Sequence, residues 1–183
     1  MASAFTHAFV GAVIGKTLQN KKMPFRFWAA LMLCSALPDL DVVGMKLGIP
    51  YASPYGHRGF THSLLFAAFL GWIALELLVL GAKRFSMNWW ILWFGLFLAT
   101  ASHGFLDAFT NGGLGVAFFW PFDDTRYFFP WRPILVSPLS VGGFFNERGL
   151  RIVASEFHWV LLPAGLFYLA FMGARKVWSK VFS

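Results

Sequence analysis

Charge is scarce in this chain: Asp and Glu together number 8 among 183 residues, and only 13% of residues are charged. A soluble domain carries roughly 25% charged residues, so a water-facing surface of ordinary character is excluded. Cysteine is reduced to one residue, Cys34, inside an apolar run. It can close no intramolecular disulfide and reads as a buried, inert thiol, which leaves no thiolate set for a metal. No basic n-region precedes the first apolar stretch, and His7 stands within it. That argues against a cleaved signal peptide over 1–13. Internal repeats and low-complexity tracts are missing as well.

What is present is apolar: 58% of residues are hydrophobic and 20% aromatic. Runs near the ~20 residues needed to span lipid lie at 60–82 and 88–110, with a slightly shorter one at 157–174. The run 25–45 is long enough if its polar end lies at the interface, and 4–19 is the shortest. Within 4–19, His7, Gly11 and Gly15 repeat at i, i+4 and i+8 on one helical face, where small residues let another helix approach closely. The expected fold is all-α: a polytopic membrane helix bundle of about five transmembrane helices, one integral membrane domain over 1–183. The long non-spanning segment is 111–155, with four of the nine prolines. Its aromatic stretches 118–122 and 128–131 are too apolar for a free loop and suit the membrane interface.

The net charge of +7 does not indicate nucleic acid, because the basic residues are spread over short loops instead of one face. They report topology. Lys16, Lys21, Lys22, Arg26, Lys83, Arg84, Arg175, Lys176 and Lys180 fall in short segments on one side. Lys46, Arg58, Arg126, Arg132, Arg148 and Arg151 are spread over longer segments on the other. The positive-inside rule places the first set in the cytoplasm.

The polar residues all fall at one end of the runs. His7 opens the first, Asp39 and Asp41 close the second, His57 and His62 open the third, His103 and Asp107 close the fourth, and Glu156 and His158 open the fifth. Alternating passes across a bilayer bring those ends to one face, outside the cell by the topology above. Ionisable groups there are costly enough to be functional candidates. His103 and Asp107 are four apart, so on a helix both side chains point the same way. Asp39 and Asp41, two apart in an extended segment, would share a side, and their repulsion calls for a cation or Arg58. His57 and His62 would diverge by roughly 140° on a continuous helix. A turn at Gly59 would leave His62 in the first helical turn, with Thr61 and Ser63 as capping residues. Glu156 is a candidate general base or ligand-orienting group, while His158 reads as an interfacial aromatic.

Four histidines and three aspartates (His7, Asp39, Asp41, His57, His62, His103 and Asp107) form an N/O donor set that fits zinc, manganese or iron. Seven donors exceed what one tetrahedral ion needs, so two divalent ions are expected.

The motifs HAFVGAVIG, LPDLDVV, HRGFTHS, and SHGFLDAFTNGG followed by WPF together resemble the YdjM-like membrane-bound, metal-dependent hydrolases over roughly residues 4–140. The resemblance implies an inner-membrane protein with a metal centre and supports the same seven residues as ligands. The expected activity is hydrolysis of a lipid or lipid-linked substrate, first of all a phosphoester, with Arg58, Arg126 and Arg132 neutralising the headgroup. A lipid ester or amide is the alternative bond. A transporter, a sensor or a structural metal is the non-enzymatic alternative, and ligands gathered at one end argue against a transport path.

Overall fold

The computed structural model describes residues 1–18, 23–79, 83–138 and 141–181. Lys21 and Lys22 of the topology argument lie outside the described residues, as does the Lys180 side chain. Seven α-helices are described: α1 Ala4–Leu18, α2 Phe25–Ala36, α3 Val42–Lys46, α4 Leu64–Leu78, α5 Met87–Ala108, α6 Glu147–Glu156 and α7 Leu162–Val181. A 3-10 turn, Leu37–Asp41, joins α2 to α3, and a π turn, Phe157–Leu161, joins α6 to α7. The result is five apolar helical stretches. Phe25–Lys46, Met87–Ala108 and Glu147–Ser179 are long and apolar enough to cross a membrane, and Ala4–Leu18 and Leu64–Leu78 are shorter.

α5 is the centre of the bundle. Ser86 starts it by accepting the Trp89 N–H, one of the orphan donors of the first turn. Its inward face is spelled by Leu92, Leu96, Ala99, His103 and Asp107, spaced three and four apart as one helical stripe requires. The apolar half of that stripe packs with Phe27, Leu31 and Cys34 of α2 and with Ala74 and Leu75 of α4. The polar half continues the same face into the site. α1 crosses α2 closely: a Cβ on Gly11 would stand 2.9 Å from the Leu31 carbonyl oxygen, and one on Gly15 would meet Leu31 and Trp28. The stripe His7, Gly11, Gly15 is buried, as its spacing predicts.

Two expectations need correction. The segment LPDLD is a 3-10 helix, not an extended strand, because Pro38 sits at its start and fixes a helical φ. At three residues per turn, Asp39 and Asp41 point in different directions. The segment 111–155 is also not loop throughout. Asn146 caps α6 by accepting the Gly149 N–H, and helix runs from Glu147 onward. Its polar character hides it from a search for apolar runs. Pro163 lacks the N–H owed to Trp159 and crowds that carbonyl, which accounts for the π turn just before it.

The stretch between α5 and α6 folds back under the site. Val116 pairs with Tyr127, and Thr110 with Ile134. Phe109 stacks on Phe129 at 4.1 Å. Phe118 is buried, whereas Phe119, Phe122 and Trp131 are exposed, so only part of the aromatic stretch faces outward.

Candidate metal centre

The structure gathers His7, Asp39, Asp41, His57, His62, His103 and Asp107 at one end of the bundle. Two groups place ligand-capable atoms within 4.8 Å of one another: Asp39, His62, His103 and Asp107, and Asp41, His57 and His62. His62 belongs to both.

In the first group, His103 Nδ1 lies 2.8 Å from the Ser35 carbonyl oxygen of α2. A carbonyl only accepts, so Nδ1 carries the proton and Nε2 presents a lone pair. Nε2 faces His62 Nε2 at 3.1 Å and Asp39 Oδ1 at 3.2 Å. Asp107 Oδ2 lies 3.6 Å from His62 Nε2. His7 stacks on His103, ring centroids 3.7 Å apart, with Nε2 3.5 Å from Asp107 Oδ1. Both nitrogens of His7, both carboxylate oxygens of Asp39, and Asp107 Oδ2 are buried without a hydrogen-bond partner. Buried polar atoms are nearly always partnered. Arg58 Nε and Ser137 Oγ are unpartnered too, but the atoms of His7, Asp39 and Asp107 lie at one end of the bundle and are of the type that suits a divalent ion.

In the second group, Asp41 is saturated. Its oxygens take the His57 Nδ1 contact at 2.6 Å, the Thr61 hydroxyl proton at 2.6 Å and the Arg58 N–H at 3.2 Å. His62 Nδ1 lies 3.3 Å away. A carboxylate behind the far nitrogen of a histidine fixes its tautomer and direction, which suits Asp41 to orienting His62. Thr61 therefore serves Asp41, and Ser63 alone caps α4 by accepting the Phe66 N–H. His62 itself lies in the turn Phe60–His62 before α4. Burial favours its neutral form, but the carboxylates of Asp107, Asp39 and Asp41 outweigh burial and raise its pKa to about 10. The lone pair on His103 Nε2 fits that direction, since it needs a donor opposite.

Arg58 is fully buried. Its Nε stands 3.0 Å from Asp107 Oδ2, though not aligned as a hydrogen bond. Its two terminal nitrogens donate to the Gly112 carbonyl and the Thr110 hydroxyl. Its backbone is held at φ 64°, a strained conformation for a residue with a side chain, of the kind found at functional sites. Gly113 makes room for it: with φ +89°, a Cβ there would stand 2.7 Å from Arg58 Nη1. Arg126 is likewise spent, on the carbonyls of His57, Tyr51 and Ser53. Arg132 is exposed and lies over the Phe128 ring.

Glu156 is not brought to the cluster. It accepts from the Ser3 backbone N–H, the Ser3 hydroxyl and the Thr6 hydroxyl, so it fastens the start of α1 to the last helix. The neighbouring Ala2 N–H donates to Asp107 Oδ1 at 2.8 Å. His158 is exposed, edge-on to Trp159. By sequence, Thr61 reads as a capping residue, and Ser35 and Thr110 carry no role; the three are the partners that aim Asp41, His103 and Arg58. Thr61 had a visible signal in its place beside His62, but the other two are contacts between distant segments.

Residues 1–179 match the family described as YdjM inner membrane protein. The chain belongs to that family. It is also 38% identical over 166 residues to the inner membrane protein YbcI of Escherichia coli (strain K12), covering 91% of this chain and 94% of that one. No solved structure matches it. A YdjM-family inner membrane protein with His/Asp groups able to hold a metal ion is therefore what sequence and geometry jointly establish.

Proposed function

We propose that this YdjM-family protein is a metal-dependent hydrolase acting on a lipid or lipid-linked substrate at the extracytoplasmic surface of the inner membrane. The observation that carries the reading is the gathering of unpartnered, buried oxygens of Asp39 and Asp107 with the facing Nε2 atoms of His62 and His103, ligand-capable atoms all within 4.8 Å of one another. Asp39, His62, His103 and Asp107 would hold the ion, with His7 beside them. Zinc suits this set, as do manganese and iron. The saturated Asp41 favours one ion at this group, with Asp41 and His57 as its orienting shell, over the two that a count of donors suggests. Such an ion would supply Lewis-acid polarisation of the substrate and an acidified water.

The protein's own residues prepare that chemistry. Ser35 aims His103, Asp41 and Thr61 aim His62, and Arg58 holds Asp107 in place. Arg58 and Glu156, by sequence a headgroup-neutralising, catalytic arginine and a candidate general base, act in this reading as positioning residues, because each is already surrounded by partners. A phosphoester remains the first choice of bond. Arg58 and Arg126, however, are committed inside the protein, and a carbonyl ester or amide would use the same centre.

Mass spectrometry of membrane lipids incubated with the purified protein, with and without chelator, tests the proposal. The expected result is loss of one lipid class that chelator prevents and His103→Ala abolishes, and the product names the bond. Identical lipid profiles in all arms would overturn the hydrolase reading. One observation favours a second reading, a structural metal: His7, His62, His103 and Asp107 are all buried, and a structural site keeps no open position. In that case chelation lowers stability and changes no lipid.

A further inference from the structure

A cavity of about 350 Å³ lies outside the metal centre, between α6 and the segment after Pro133, lined by Asn111, Leu135, Val136, Arg148, Arg151 and Ile152. We propose that it is a phosphate subsite, in which Arg148 and Arg151 grip the phosphate of an anionic lipid headgroup whose acyl chains lie on the adjoining face of α6. The inference rests on the hydrolase reading for its purpose and deepens it by naming the substrate class.

The placement of charge is the first argument. At 100° per residue, α6 divides into three faces. Gly149, Ile152 and Glu156 point into the protein and are buried. Leu150, Val153 and Phe157 form an outward apolar face, 72%, 51% and 56% exposed. Arg148, Arg151 and Ser155 form the third face. Ser155 takes the Leu135 N–H, which sets this face against the segment that forms the cavity wall. Glu147 opens the helix, but neither guanidinium is paired with it or with any other described residue. Two like charges three apart repel, and the first turns of a helix carry the positive end of its dipole. An anion between the two guanidinium groups relieves both conflicts, and a planar fork matches phosphate oxygens.

The surroundings supply the second argument. Asn111 Oδ1 is fixed by the Val136 N–H at 3.0 Å, which leaves its amide N–H₂ as the free, donating end. Asn111 follows Thr110, the partner of Arg58, and lies four residues beyond Asp107, so the cavity adjoins the metal centre along the chain. An exposed apolar face beside a cationic cavity, at the polar end of the candidate span Glu147–Ser179, suits the level where acyl chains meet headgroups. It favours a phosphate that arrives on a lipid.

The test is calorimetric binding to the full chain in detergent, read without turnover. The probes are dioctanoyl phosphatidic acid, dioctanoylglycerol and inorganic phosphate. Phosphatidic acid should bind saturably and dioctanoylglycerol should not. Arg148→Gln combined with Arg151→Gln should weaken binding by roughly tenfold or more with metal content unchanged. The corresponding double Lys variant should recover part of the loss, since it keeps charge without the fork. Inorganic phosphate binding as tightly as the lipid, and lost in the Gln variant, would keep the subsite and assign it to soluble phosphate esters. Undiminished phosphatidic acid binding by the Gln variant overturns the proposal. Absence of any lipid hydrolysis, with this binding pattern intact, would count against the hydrolase reading alone.

Discussion

Arg58 and Asp107 face each other with no exposed surface, and when no ion is bound Asp107 is the counter-charge that Arg58 shares with the His62 proton and the N-terminal ammonium. Removing one member of a buried ion pair costs about 3–5 kcal/mol, because the remaining charge is stranded. Arg58→Ala should therefore lower the unfolding temperature in detergent, and the loss should be larger in chelated protein than in metal-loaded protein, where an ion shares Asp107. An equal loss in both states would mean that Asp107 does not meet a metal. His62 gives a second outcome at this scale. With its pKa raised to about 10 from 6.5, its proton stabilises the ion-free fold fully below 6.5, and that contribution fades as pH rises through 10. A ligating His62 must be neutral, so a metal has to displace the proton. Metal affinity should climb with pH, by up to about tenfold per unit below that raised pKa, with close to one proton released per ion. Calorimetry in buffers of differing protonation enthalpy measures this, and pH-independent affinity would remove His62 from the ligand set.

At the scale of helices, the contact of α1 with α2 positions His7, and it depends on a missing side chain. Gly11→Ala would push a Cβ to 2.7 Å from Ser35 Oγ and 2.9 Å from the Leu31 carbonyl. Backbone cannot yield there, and overpacking of this kind costs about 1–3 kcal/mol. Ser35 also aims His103, so metal retention should fall with stability. Gly165→Ala, in open space on α7, should be neutral or stabilising by up to about 1 kcal/mol. Thermal shifts and bound-metal analysis of the two variants, compared side by side, check the difference. Comparable losses from both would show that the effect is helix propensity and not the crossing. This crossing was legible in the sequence because helical periodicity and glycine spacing are local. The convergence of His7, Asp39, His62, His103 and Asp107 was legible for a related reason: alternating apolar runs fix which ends meet. The 3-10 turn at LPDLD was hidden, since two residues cannot reveal their own periodicity. α6 was hidden because its register is amphipathic, not apolar. The inward commitment of Arg58 and Arg126 depends on carbonyls far along the chain, which no local pattern encodes.

For the whole molecule, the candidate centre joins four segments that otherwise meet mainly through apolar packing: α1, the end of α2, the turn before α4, and α5. An ion held by groups from several of them binds the folded bundle and not a separated set of helices, so its binding free energy adds to stability. At a free concentration a thousandfold above Kd, the gain is about 4 kcal/mol. The unfolding temperature of the intact protein should therefore rise with the logarithm of metal concentration and fall on chelation, while His103→Ala should give a flat response. Glu156→Ala separates this from general damage. Glu156 fastens Ser3 and Thr6 without touching the donor atoms, so its loss should lower the whole curve and leave the slope with metal in place. Differential scanning fluorimetry across a zinc titration of the three proteins reads all of these. A wild-type curve as flat as that of His103→Ala would mean that no ion bridges these helices.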